Sequence, residues 1–79
     1  MEHKSLKGIY THFKDSAKEY EVLGTALHTE TEEIMVVYRP LYEGAIAELF
    51  VRPVSMFLEQ VEKPELGYSG PRFIRVRDA

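Results

Sequence analysis

Two arginines in this chain, Arg39 and Arg52, are each followed directly by a proline, and Tyr38, Tyr42, Phe50 and Phe57 lie near them in sequence. A guanidinium is planar, permanently charged and able to grip a carboxylate or phosphate with two parallel N–H donors. Placed at strand ends over a floor of aromatic rings, Arg39 and Arg52 would make a site for an anionic or peptide-like partner. A second set is His12, His28 and Glu30. Imidazole beside carboxylate is the arrangement of a general base, and two histidines with Glu30 would give a metal N/N/O ligands if His12 approached across a hairpin. Spacing does not impose this, because neither histidine belongs to an H-E-x-x-H helix.

Each set has a structural counterpart. Arg39 or Arg52 could pair with Glu43, Glu48 or Glu30 and staple a wide loop to the body of the protein, and the histidines could be strand-end residues bonded to backbone. Glu30-Thr31-Glu32-Glu33 lacks the glycine and alternating oxygen ligands of a calcium loop and reads as a hydrated turn. Met35, Met56 and Phe57 read most simply as core.

The elements that must position these residues are short strands. Gly8 to Phe13 reads as the first, and polar Lys14 to Lys18 as the turn after it. Glu19 to Thr29 alternates, with Tyr20, Val22, Gly24, Ala26 and His28 on one face. Glu30 to Glu33 is then a loop of four or five residues, after which Ile34 to Tyr38 resumes at high β-propensity. Pro40 has no N–H for a ladder, so this strand ends near Arg39 or lies at an edge from there. Leu41 to Glu48 is a wide connection around Gly44, and Leu49 to Arg52 a short strand stopped by Pro53. Beyond it two readings stand, a helix carrying Met56, Phe57, Gln60 and Val61 at helical spacing or, preferred, a single helical turn over 54–57 and a strand over 58–62; a Gly/Pro-rich loop from Lys63 to Pro71 and a closing strand over 72–76 follow.

This pattern predicts a mainly β protein: a small SH3-like barrel or roll of four to five short strands with one brief helical turn. Residues 1–7 read as a flexible lead-in and 8–79 as a single small domain. A core of this size is expected to leave about 3–5 kcal/mol of net stability. It offers too little wall for a deep, dry active site, so a shallow site, or one shared between copies in a homo-oligomer, is expected.

The sequence holds no cysteine, which removes disulfides, thiolate zinc sites and cysteine nucleophiles. No apolar run approaches the roughly 20 residues of a membrane-spanning helix and no signal-peptide core follows Met1, so a cytoplasmic protein is expected. A net charge of −3 argues against a general polyanion binder. Glu19, Glu21, Glu30, Glu32 and Glu33 have no Lys or Arg among them, whereas Arg72, Arg75 and Arg77 have only Asp78 nearby; this reads first as solvated surface charge and alternatively as an acidic pole and a basic pole.

The ordered motifs Tyr10-x-His12-Phe13-Lys14, Tyr20-Glu21-Val22-Leu23-Gly24-x-Ala26-x-His28-x-Glu30-Thr31, Val36-Val37-Tyr38-Arg39-x-Leu41-Tyr42, Val51-Arg52-Pro53-x-x-Met56-Phe57 and Pro71-Arg72-Phe73 resemble domain-of-unknown-function family 1653, small bacterial and archaeal proteins. The resemblance runs from about Gly8 to Phe73. It implies a compact β fold and brings no established activity. The chain departs from the pattern at Phe50, where a Trp commonly precedes Val-Arg-Pro, and in a longer connection from Glu43 to Glu48. If that Trp serves a binding surface, Phe50 lacks its indole N–H.

No catalytic signature is present, and the sequence favours a non-enzymatic binding or interaction module. Its candidate ligand-binding residues are Arg39, Arg52, His28, Glu30, Tyr38, Tyr42 and Phe50, its partner an unknown protein, peptide or small anionic ligand, and no cofactor is expected. The alternatives are a module for single-stranded nucleic acid, with Tyr10, Tyr38, Tyr42 and Phe50 stacking on bases, or a small hydrolase built on His12, His28 and Glu30, with or without a metal.

Overall fold

The polar stretch after the first strand is itself strand in the computed structural model, which describes residues 6–79; most of the expected lead-in over 1–7 thus lies outside the described residues. β1 (Gly8–His12) turns through Phe13 and Lys14 alone into β2 (Asp15–Leu27), with His12 opposite Asp15. Asp15 caps the tight turn by accepting the Ala17 N–H at 3.0 Å, so a segment that reads as loop from its polarity runs as ladder. Leu6, just ahead of β1, packs against the core, and its carbonyl accepts the Tyr10 hydroxyl at 3.0 Å.

β2 returns through residues 28–33 as β3 (Ile34–Pro40), and β4 (Phe50–Pro53) pairs with β3 after the wide connection. Pro40 is tolerated because β4 reaches only Tyr38, which leaves Arg39 and Pro40 on an open edge. α1 (Val54–Phe57) is the expected single helical turn, and β5 (Gln60–Lys63) follows it. The Gly/Pro-rich segment holds more order than its composition predicts. A 3₁₀ turn at Pro64–Leu66 ends on Gly67 in the left-handed region, φ 65°, and β6 (Tyr68–Pro71) pairs with β5. β7 (Phe73–Arg77) then pairs with β1.

The described residues therefore contain seven strands, where four or five are expected from sequence, in two antiparallel sheets: β4-β3-β2-β1-β7 and β5-β6. Of the barrel or roll expected from sequence, no closed barrel forms among the described residues, since β4 and β7 end the larger sheet without pairing to each other. The sheet nonetheless rolls. Arg52 on one end strand lies 5.2 Å from the ring centroid of Phe73 on the other. Inside the roll, Tyr10, Val22, Val36, Tyr38, Phe57 and Phe73 form the buried core, and α1 inserts Phe57 face to face on Phe73 at 4.4 Å and 10°.

The topology brings one of the late arginines to one of the early glutamates. Arg77 of β7 reaches across β1 to grip both carboxylate oxygens of Glu19 on β2 at 2.7 and 2.8 Å. At Gly8 a side chain would collide with Arg75, whose Cζ would lie 2.9 Å from an added Cβ and whose Nη1 donates to the Lys7 carbonyl at 2.8 Å. No helix among the described residues is long and apolar enough to cross a membrane.

Candidate functional site

Strand alternation decides which of the expected site residues meet. Tyr38 is paired with Phe50 and Val36 with Arg52, and Tyr38 and Val36 are buried in the core. Paired residues share a face, so Phe50 and Arg52 also point inward. Arg39, one residue beyond Tyr38, faces the other way. There it stands opposite Glu21, with Nη2 to Oε1 at 2.7 Å and Nε to the same oxygen at 2.8 Å. The two arginines thus lie on opposite faces of the sheet, and Arg39 is a structural ion-pair partner of Glu21, a residue outside the Glu30, Glu43 and Glu48 set considered from sequence.

The inward group forms a cleft of about 460 Å³, lined by His12, Tyr20, Tyr38, Phe50, Arg52 and Phe73, with Leu49 and Val51 at its rim. No carboxylate among the described residues lines it. Each of the other four arginines has an acidic partner: Glu21 for Arg39, Glu59 for Arg72, Asp78 for Arg75 and Glu19 for Arg77. Arg52 has none among the described residues, and its guanidinium lies over the Phe73 ring. A half-buried cation held by a π face keeps its N–H donors for an incoming acceptor.

Two further polar groups face this space. Burial holds the His12 imidazole below its ordinary value of 6.5, and the positive charges of Arg52, Arg72 and Lys14 add to the effect. The ring is therefore neutral near pH 7. Its Nδ1 accepts the Lys14 N–H at 3.2 Å, which places the proton on Nε2 as a donor. Tyr20 is held protonated, its phenol pushed up first by burial and then by the Tyr42 hydroxyl 3.5 Å away. The cleft is thus apolar in its walls, positive in its field, and furnished with donors.

The remaining expected residues lie elsewhere. Tyr42 stacks edge-on against Tyr20 from the outside and carries Lys18 over its own ring at 4.9 Å. With Arg39, Leu23 and the 41–49 connection it borders a second hollow of about 600 Å³, whose one guanidinium is already committed to Glu21. His28 and Glu30 sit in the β2–β3 turn, where the imidazole Nδ1 accepts the N–H groups of Glu30 and Thr31 at 3.3 and 3.4 Å. His12 and His28 flank opposite ends of β2, thirteen residues long. They do not meet, and no three metal-ligating side chains cluster among the described residues. Tyr20 and Phe73 belong to the cleft although sequence reasoning left them in motifs without a role. The signal for Phe73 was its place next to Arg72 in a closing strand; β7 had to be set beside β1 before the ring could be seen beneath Arg52.

A family model described as Protein of unknown function (DUF1653) matches residues 8–75. Among solved structures, the crystal structure of a DUF1653 protein from Bordetella bronchiseptica is similar at 33% identity, with a TM-score of 0.80 over 92% of this chain and 88% of that one. No curated protein matches. All of the cleft-lining residues fall within the matched span.

Proposed function

We propose that this chain, which belongs to the DUF1653 family of proteins of unknown function, is a binding module that holds an anionic group of its partner in the Arg52 cleft. One observation carries the reading: among the chain's arginines, Arg52 alone has no carboxylate among the described residues, and it is stacked on Phe73 in a cleft whose lining contains no acid. A guanidinium kept out of ion pairs in a sheltered, aromatic space favours a carboxylate or phosphate there over water. Phe50 and Tyr38 form the apolar floor, and His12 supplies a neutral donor that leaves the site's charge to Arg52.

Single-stranded nucleic acid fits the cleft less well. Tyr38 and Tyr10 are buried at 5% and 7% exposure and pack edge to face with core rings, so they present no open face on which a base could stack. The His12/His28/Glu30 hydrolase has no assembled site. The binding reading carries a cytoplasmic location with it, supported by the cysteine-free sequence.

Titration of the protein with N-acetylglutamate and with inorganic phosphate, followed by NMR, tests the reading. The expected result is saturable shifts at Arg52, His12 and Phe50 that disappear in Arg52→Ala. Equal shifts in Arg52→Ala, or none with either anion, would overturn it.

A further inference from the structure

We infer that the partner is an extended peptide segment that adds as a strand to the open edge of β4 and sets an acidic side chain opposite Arg52. This rests on the anion-binding reading and names the kind of molecule that carries the anion. Among the described residues β4 terminates the larger sheet and pairs only with β3. Alternate backbone N–H and C=O groups over Phe50, Val51 and Arg52 therefore turn away from β3, and no other backbone hydrogen bond reaches these three residues among the described ones. Such an edge is a template for another strand.

The two ends of the sheet differ in how that edge is protected. β7 carries Arg75 and Arg77, each in an ion pair, along a strand of five residues. Charges of this kind deter strand addition. β4 reads Phe-Val-Arg-Pro, and its one charge points into the cleft with no acidic partner among the described residues. Val51, 59% exposed, and Leu49, 51% exposed, leave apolar surface along the same edge.

The register follows from alternation. A residue opposite Arg52 shares its face, so a carboxylate there reaches the guanidinium inside the cleft. Two positions along, the residue opposite Phe50 enters the same cleft against an aromatic wall. The residue between them lies on the outer face and covers Val51. Every strand pair here is antiparallel, and an antiparallel addition reads acidic, apolar, aromatic from N to C along the peptide. Pro53 has no N–H, so the usable edge stops before α1 and the recognised segment is short. The inserted strand would occupy part of the gap that keeps the roll from closing.

The test uses the full 79-residue chain and the capped peptide Ac-Thr-Glu-Val-Phe-Thr-NH₂, with binding measured by calorimetry and NMR. Glu→Gln in the peptide and Arg52→Ala in the protein should each weaken binding about tenfold or more, as expected for loss of a charge-assisted hydrogen bond. Two further peptides are N-methylated, one at Val alone, the other at Glu and Phe together. Strand addition requires that one of these patterns abolish binding and the other be tolerated, because alternate amides face the edge. Binding that needs Arg52 but tolerates both patterns would overturn strand addition and leave the cleft as an anion site. No binding of the peptide where N-acetylglutamate still binds would also overturn it, as would a dimer of this chain that buries the β4 edge in solution. Binding indifferent to Arg52 would remove the anion-binding reading itself.

Discussion

The guanidinium of Arg52 lies 5.2 Å from the ring centroid of Phe73, joining the two end strands of one sheet across a gap that no backbone pair bridges. Phe73 is itself stacked on the buried Phe57 at 4.4 Å. The cleft is therefore built directly on the core, so its wall is rigid and its cation is held in place before any ligand arrives.

Replacing Arg52 should separate binding from stability. Arg52→Ala removes a cation–π contact worth about 0.5–1 kcal/mol at a partly exposed site and no ion pair, so a small fall in melting temperature is expected with anion binding lost. Arg52→Lys should keep the charge and recover only part of the affinity, because an ammonium lacks the bidentate fork. Calorimetry with N-acetylglutamate beside thermal unfolding checks both.

Phe57→Ala should unfold the protein at ambient temperature. The ring is 2% exposed, and truncating a buried Phe costs about 3–5 kcal/mol, comparable to the whole net stability expected of a domain this small. Circular dichroism of the purified variant would show the loss.

Acid should destabilise the fold in two windows. His12 is held below 6.5 in the folded protein, so the unfolded chain takes up the proton first; stability is full above 6.5 and declines as pH falls through that value to the lower folded one. Glu19 is held below its ordinary 4.5 chiefly by the Arg77 hydrogen bonds, so its contribution is present above 4.5 and lost as pH falls below it. His12→Gln should flatten the melting temperature between pH 7.5 and 5.5 and leave the lower window in place. A bound anion should also raise the His12 pKa, which imidazole resonances would report.

Glu32 adopts φ 64°, the left-handed region that costs a residue with a Cβ about 1–2 kcal/mol. Glu32→Gly relieves that cost and gives back part of it as chain entropy, so a net gain of about 0.5–1 kcal/mol is expected. Thermal unfolding should show an upward shift of a few degrees.

Phe50→Trp keeps a large aromatic ring at a cleft wall and adds an indole N–H. The chain has no other Trp, so the substitution also makes the cleft fluorescent. Anion binding should change its emission, and affinity should hold or rise.

Much of the fold was legible where local chemistry is decisive. The alternation and β-branching of Ile34 to Tyr38, the stop at Pro53 and the helical turn that follows all read directly from residue type. Pairing decided the rest. Asp15 to Lys18 are polar, yet β1 gives them a ladder, and β6 is ordered because β5 lies beside it. The candidate site was half legible: Arg52, Tyr38 and Phe50 meet in the cleft, while Arg39 is withdrawn by register. Counting back from the Leu27–Ile34 pair would set Glu21 opposite Pro40. An irregularity between Val22 and Gly24 shifts the ladder by one residue and brings Glu21 to Arg39 instead. Gly24, an isolated glycine inside the strand, is the residue type there that points to a bulge, and the shift gives Arg39 the carboxylate that Arg52 lacks among the described residues.

The most direct measurement is the NMR map of where N-acetylglutamate binds the labelled protein. The Arg52 side-chain N–H, His12 and Phe50 should shift first and saturate together, with Arg39 and the 41–49 connection unmoved. Shifts confined to the Arg39 side, or an Arg52 resonance that never responds, would contradict it.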